Sequence, residues 1–167
     1  MCFGGSMEIT LNDGEQLAAH TIARLRYAVS RARQTPDEKI GPQSNDQTDL
    51  EGAAAEFVVC KALGTWPELS ITPDKGYDTK YNGLTIDVKS TTVESGRLLV
   101  RPEKQDSPAD WYVLVTGTFP GPYMIRGFMH KNDLFKPDYL TDLGHGPTYA
   151  VPQSHLIGFE DWTAEAA

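Results

Sequence analysis

The sequence predicts an α/β or α+β domain in which helices pack on a sheet. Three observations lead there. Residues 13–34 repeat apolar side chains at helical spacing. Residues 48–63 form an alanine-rich segment bounded by helix-start and helix-stop signals. After Pro67 the pattern changes to short β-like runs. Helices first and a meander of strands afterwards imply that layered arrangement.

A chain of 167 residues fits one domain with a core of ordinary size. Hydrophobic residues at 40% and charged residues at 23% argue against a wholly disordered chain. No apolar run approaches the ~18 residues of a membrane-spanning helix. The 15 Lys and Arg against 23 Asp and Glu give a net charge of −8. That balance points away from a non-specific polycation, although whole-chain charge averages over patches. Cys2 and Cys60 cannot build a disulfide framework, and there is no CxxC to hold zinc. Residues 1–12 read as a leader or tail, with Met7 a second candidate start. The segment from Met1 to Met7 lacks the basic and apolar regions of a signal peptide. The expectation is therefore a soluble, cytoplasmic protein without membrane contact, with residues 13–167 as its single domain.

The first helix, 13–34, puts Leu17, Ala18, Ile22, Leu25, Ala28, Val29 and Ala32 on one arc at about 100° per residue, the face expected against the core. Arg24 and Arg31 lie at one edge of the arc, Arg26 and Arg33 at the other. No acid interrupts residues 16–34, so this segment carries +4 and leaves −12 on the rest. Those arginines either snorkel beside the core-facing stripe or form an edge that contacts phosphates. Residues 35–47, polar with two prolines and a glycine, read as a loop. The second helix opens at Thr48-Asp49-Leu50-Glu51, which has capping-box spacing, and stops at Gly64, a C′ glycine. Strands are expected at 77–81, 84–90, 97–101, 111–116 and 123–130. A short helical segment at 131–135 and a Pro- and Gly-rich stretch to Pro152 follow.

The hairpin carries the chemistry. Asn82-Gly83 between two β-like runs is a strong turn signal, because a type I′ turn needs φ > 0 at both central residues. Tyr81 then faces Leu84, Thr79 faces Ile86 and Asp78 faces Asp87, while alternation puts Lys89 on the face of Asp87. Directly opposed like charges destabilise a sheet, and a divalent cation would offset them. Oxygen-only ligands favour Mg²⁺, Mn²⁺ or Ca²⁺ over zinc. Lys89 is placed to hold a phosphate oxygen, polarise a water or stabilise developing negative charge. The plainer alternative is a surface hairpin in which Lys89 bridges two solvated aspartates. Glu56 adds weight to the metal reading. Its helical neighbours Gly52, Ala53, Val59 and Cys60 form a small apolar face, where a charge is costly unless it is paired or ligates a metal. Glu51 has a local role as the capping-box acid; Glu56 has none, unless it reaches solvent at the helix edge.

These residues resemble the PD-(D/E)XK nucleases, the restriction-endonuclease-like superfamily. The matching stretches are Gly52-x-x-x-Glu56, Gly76-Tyr77-Asp78 and Ile86-Asp87-Val88-Lys89-Ser90-Thr91, within residues 48–130. Pro73-Asp74 is a literal Pro-Asp, but the register puts Asp74 opposite Thr91, so Asp78 is the better match. The resemblance implies an α-β-β-β-α-β core around a central mixed sheet flanked by helices. It also implies Mg²⁺-dependent hydrolysis of DNA phosphodiester bonds, with Mn²⁺ able to substitute. Asp78 and Asp87 would bind the metal with the Val88 carbonyl, and Glu56 would complete the site directly or through water. Lys89 would orient the nucleophilic water or stabilise the phosphorane. The four side chains sum to −2, so one Mg²⁺ neutralises the cluster.

Cues for substrate contact are weaker. Arg97, Arg101 and Lys104 follow the motif strand, and with the helix arginines Arg24 and Arg31 they are candidates to track a DNA backbone. Solvated charges at strand ends are the plainer reading. Trp66, Trp111, Tyr112 and Phe128 are expected in the core rather than as base-stacking platforms. His130, His145 and His155 show no metal spacing, and there is no phosphate-binding Gly-rich loop. A small stand-alone DNA nuclease, endonucleolytic before exonucleolytic, is the first expectation. A non-catalytic DNA-binding or assembly module of the same fold, or an α+β protein whose hairpin metal is structural, are the alternatives. Oligomeric state stays open, a homodimer being one option because enzymes that cut both strands often dimerise.

Overall fold

In chain order the computed structural model, which describes residues 5–33, 45–71 and 75–167, runs β1 (Met7–Ile9), α1 (Asp13–Arg33), α2 (Asn45–Leu63), β2 (Thr79–Tyr81), β3 (Leu84–Thr91), β4 (Leu98–Val100), β5 (Trp111–Thr116), β6 (Tyr123–His130), α3 (Lys131–Leu134), β7 (Leu140–Asp142), β8 (Pro147–Val151) and α4 (Phe159–Glu165). Asn82 and Gly83 take φ of 49° and 82°, the backbone a two-residue type I′ turn requires. The flanking strands pair in the expected register, Tyr81 on Leu84 and Thr79 on Ile86. β3 then pairs in parallel with β5, β5 antiparallel with β6, and β6 antiparallel with β1. The result is a mixed five-stranded sheet in the order β1-β6-β5-β3-β2. A second, antiparallel sheet has the order β4-β8-β7. The crossover between the parallel strands β3 and β5 runs through β4 and a 3-10 turn at Pro102–Asp106. An α-β-β-β-α-β order would lead one to look for a helix there.

The two faces of the main sheet are covered differently. Alternation sends Ile86, Val113 and Val115 to the side of α2, where they pack with Ala54, Ala55 and Val58. Tyr112 and Leu114 point the other way, into a second core with Leu98 and Val100 of β4 and Val151 of β8. Small residues on several sides suit α2 to its place between α1 and the sheet. Its end is the expected one. Gly64 has φ of +67°, its amide donates to the Lys61 carbonyl, and that of Thr65 donates to Cys60 at 2.9 Å. This is a Schellman motif.

Several expectations need correction. Residues 1–12 are not simply a leader: Met7–Ile9 pair with Tyr123–Ile125, and Leu11 is buried in the core. The polar loop placed at 35–47 gives way at Asn45, where α2 begins; residues 35–44 lie outside the described residues. On α1 the arc with Leu17 and Leu25 is largely outward, those two being 68% and 44% exposed, and the buried positions are Ala19 and Ala23. Two helices that meet through alanines can approach closely, so the small stripe, not the most hydrophobic one, takes the interface. The Pro- and Gly-rich stretch before Pro152 contains two further strands, β7 and β8. Tyr112 and Phe128 are core residues and Trp111 is half-buried, but Trp66 is 85% exposed. No helix among the described residues is long and apolar enough to cross a membrane.

Candidate metal and active centre

The β2–β3 ladder ends one pair short of the two aspartates. Thr79 is the last paired residue of β2, and the Asp78 amide still donates to the Ile86 carbonyl at 2.8 Å. From there the Asp78 side chain takes over the pairing: its Oδ2 accepts the Val88 amide at 2.7 Å. The expected face-to-face pair of Asp78 and Asp87 is thus replaced by a carboxylate standing in for a backbone acceptor. Both acids remain close enough to couple electrically. Burial raises the pKa of Asp78 to about 7, and the Asp87 charge adds to it, against opposing help from Lys89 and the Val88 amide.

Asp87 is 4% exposed and stands beside Tyr112 in the parallel ladder. It lies on the face away from α2, as does Lys89 two residues on. Lys89 Nζ sits 2.6 Å from Asp87 Oδ1. Beyond that ion pair, Oδ1 is buried without a hydrogen-bond partner among the described residues. The Lys89 ammonium at that distance is the charge that compensates the buried carboxylate. The hydroxyl of Tyr112 feels the same charge: burial first, then Asp87, push it up to about 12.

Glu56 is held elsewhere. Nη1 of Arg26 donates to both its oxygens, at 2.9 and 2.8 Å. The same guanidinium donates through Nη2 to the Glu68 carbonyl at 2.6 Å and through Nε to the Ser70 carbonyl at 3.4 Å. Arg26 therefore binds α1, α2 and the segment 65–71 together. Even so, burial pushes the Glu56 pKa up to about 8, with Asp78 and more weakly Asp87 adding to it and Arg26 opposing. Sequence reasoning placed Arg26 at an edge of the α1 arc but did not pair it with Glu56. A signal existed: it falls three positions after Ala23 and seven after Ala19, on the small-residue face of α1. Its partner, thirty residues away, left no local trace.

Two threonines join this region to the chain ahead of the hairpin. Thr65 Oγ1 lies 3.3 Å from Thr79 Oγ1, which also donates to the Trp66 carbonyl at 3.5 Å. Cys60 is buried beside them, and burial raises its thiol pKa.

The proposed DNA contacts are scattered. Arg24 and Arg31 are exposed on α1, the latter with its guanidinium 5.0 Å over the Tyr27 ring. Arg97 is exposed, and Arg101 is part-buried with an Nε that lacks a hydrogen-bond partner among the described residues. Asp74 lies outside the described residues.

As the side chains stand, no three His, Cys, Asp or Glu among the described residues are arranged to hold a metal ion. Arg26 engages both oxygens of Glu56, the third acid of the expected set. Asp78 and Asp87 are a different case. They are two buried, oxygen-only donors, the charge on Asp87 raising the pKa of Asp78. That pair fits a hard divalent cation such as Mg²⁺; Glu56 in its present pose does not join it. Comparison of the chain with family models, curated proteins and solved structures gave no match.

Proposed function

We propose that this protein is a Mg²⁺-dependent nuclease that hydrolyses phosphodiester bonds in DNA, on a restriction-endonuclease-like core. The observation that carries the reading is the buried Asp87, coupled to Asp78 and held 2.6 Å from Lys89. Two buried acids beside one lysine is an arrangement that a divalent cation completes and a plain surface hairpin does not need.

Asp78 and Asp87 are the residues that would hold Mg²⁺, which supplies Lewis-acid polarisation of the scissile phosphate. The Val88 amide fixes the rotamer of Asp78. Lys89 donates to a phosphate oxygen or to the attacking water, opposing the negative charge that develops on phosphorus. Water adds, one P–O ester bond breaks, and the leaving oxygen takes up a proton. Glu56 acts through a water, its orientation set by Arg26.

A second reading is a non-catalytic module of the same fold, favoured by the Arg26–Glu56 pair, which uses a would-be ligand for structure. A cleavage panel separates the two. Duplex, single-stranded, nicked and four-way DNA are incubated with wild type in Mg²⁺ or Mn²⁺, alongside Asp87→Asn and Lys89→Ala, with folding checked by circular dichroism. The nuclease reading expects cleavage by wild type alone. Failure of every substrate with both metals removes it.

A further inference from the structure

We infer that the outward face of α1 is the surface through which two copies of this chain pair, antiparallel about a two-fold axis near residue 22. α1 has two unlike sides. Residue 26 stands nine places after residue 17, half a turn away around the helix at about 100° per residue. On the inner side Arg26 takes Glu56, and Ala19 and Ala23 are buried. On the outer side Leu17, Thr21, Leu25, Ala28 and Ala32 share an arc of about 80°. All five are exposed, Leu17 at 68% and Leu25 at 44%. The one hydroxyl in that stripe is already satisfied: Thr21 Oγ1 donates to the Leu17 carbonyl at 2.8 Å. A partner can therefore cover Thr21 without stranding a polar group. Two leucines among alanines and a threonine methyl let a second helix approach closely.

Charge selects the occupant and its direction. The acids of α1 are confined to its first turn, Asp13 and Glu15, and Glu15 is engaged by Lys61. The arginines follow from residue 24 onward, with no acid between residues 16 and 33. Asp13, Arg24 and Arg31 fall within about 20° of one another along one edge of the stripe, and all three are exposed. An edge that is acidic at one end and basic at the other complements itself when reversed. A two-fold axis keeps that edge on the same side of both helices, so Asp13 lies level with the partner's Arg31, and the contact occurs twice. The same register sets Leu17 beside the partner's Ala28 and Leu25 beside the partner's Ala18, large on small. A parallel pair would set Arg24 and Arg31 against their own copies and align the two helix dipoles in the same sense. A single pair of helices roughly 30 Å long sits at the low end of specific interfaces, so the affinity belongs in the micromolar range. The pairing stands whether or not the chain cleaves DNA.

Sedimentation equilibrium of the full chain, from about 1 to about 300 µM, tests the surface and its register together. The proteins are wild type, Leu17→Glu, Asp13→Arg and Arg31→Asp, each checked for folding by circular dichroism. Wild type should show a monomer–dimer equilibrium, and Leu17→Glu should stay monomeric over the same range. Asp13→Arg turns both edge contacts into arginine against arginine, and Arg31→Asp turns both into aspartate against aspartate. Each alone should dimerise about tenfold more weakly than wild type. Mixed in equal amounts, the two variants should form a heterodimer about as tight as the wild-type dimer, because every edge contact then joins opposite charges. Wild type that is monomeric throughout overturns the proposal, and so does a dimer that Leu17→Glu leaves intact. A mixture that associates no better than its components overturns the antiparallel register, and the choice of a second copy with it.

Discussion

Asp78 and Glu56 hold their protons to unusually high pH in the folded chain, with consequences for stability. Burial and mutual repulsion raise them from ordinary values of 3.8 and 4.5 to about 7 and about 8. The folded state therefore binds more protons than the unfolded state across that window, so their contribution to stability is complete at acid pH and is lost as pH rises through 7 to 8. Without added metal, urea midpoints of wild type and Asp78→Asn should coincide near pH 3.8 and diverge above it, with the variant the more stable by about pH 7. A cation favours the ionised acids and reverses the trend. Mg²⁺ at a hundredfold excess over its dissociation constant should raise stability by about 2.7 kcal/mol, and Asp87→Asn should abolish that gain. On the proposed nuclease reading, Lys89→Ala should lower turnover by about 10²–10³-fold while the protein stays folded.

At the scale of elements, α2 carries two buried acids with separate tasks. The sequence marks Glu51 as the capping acid, yet its carboxylate accepts the Phe119 amide at 2.9 and 3.1 Å, the Tyr123 hydroxyl at 3.3 Å and Gln47 Nε2 at 2.6 Å. It fastens α2 to the Pro-rich turn before β6. Glu51→Ala strands those donors and should cost about 1–3 kcal/mol, measured by denaturation, with specific activity per folded molecule unchanged. Glu56 is tied to Arg26, and Arg26→Leu leaves an uncompensated acid behind. The double variant Arg26→Leu/Glu56→Leu should be less destabilised than Arg26→Leu alone. A double variant at least as destabilised as Arg26→Leu alone would overturn that expectation. What was legible in the sequence was what is local: the Asn82-Gly83 turn, the Asp87–Lys89 alternation, the glycine that ends α2. The face of α1 was not, because periodicity defines a stripe without saying which neighbour covers it. Nor was the Arg26–Glu56 pair, which forms only when two helices distant in sequence meet.

At the scale of the whole molecule, the hairpin that carries Asp78 depends on the last helix. Trp162 of α4 is fully buried and stacks on Phe128 of β6, with centroids 4.0 Å apart and rings 4° from parallel. It also meets Trp111 of β5 at 5.6 Å and Tyr81 of β2 at 5.7 Å. Asn82 at the hairpin tip donates to the Ala166 carbonyl at 2.8 Å. One indole thus joins three strands of the main sheet to α4. Its Nε1 is buried without a hydrogen-bond partner among the described residues, so part of its packing energy is offset by an unsatisfied donor. Two substitutions separate those contributions. Trp162→Ala removes the ring and should cost about 3–5 kcal/mol, a large share of the roughly 5–15 kcal/mol a domain holds. Trp162→Phe keeps a ring against Phe128 and removes the stranded N–H, so its loss should be well below that of the alanine variant, on the order of 1–2 kcal/mol. Equal urea midpoints for the two variants would mean that the stack on Phe128 contributes nothing.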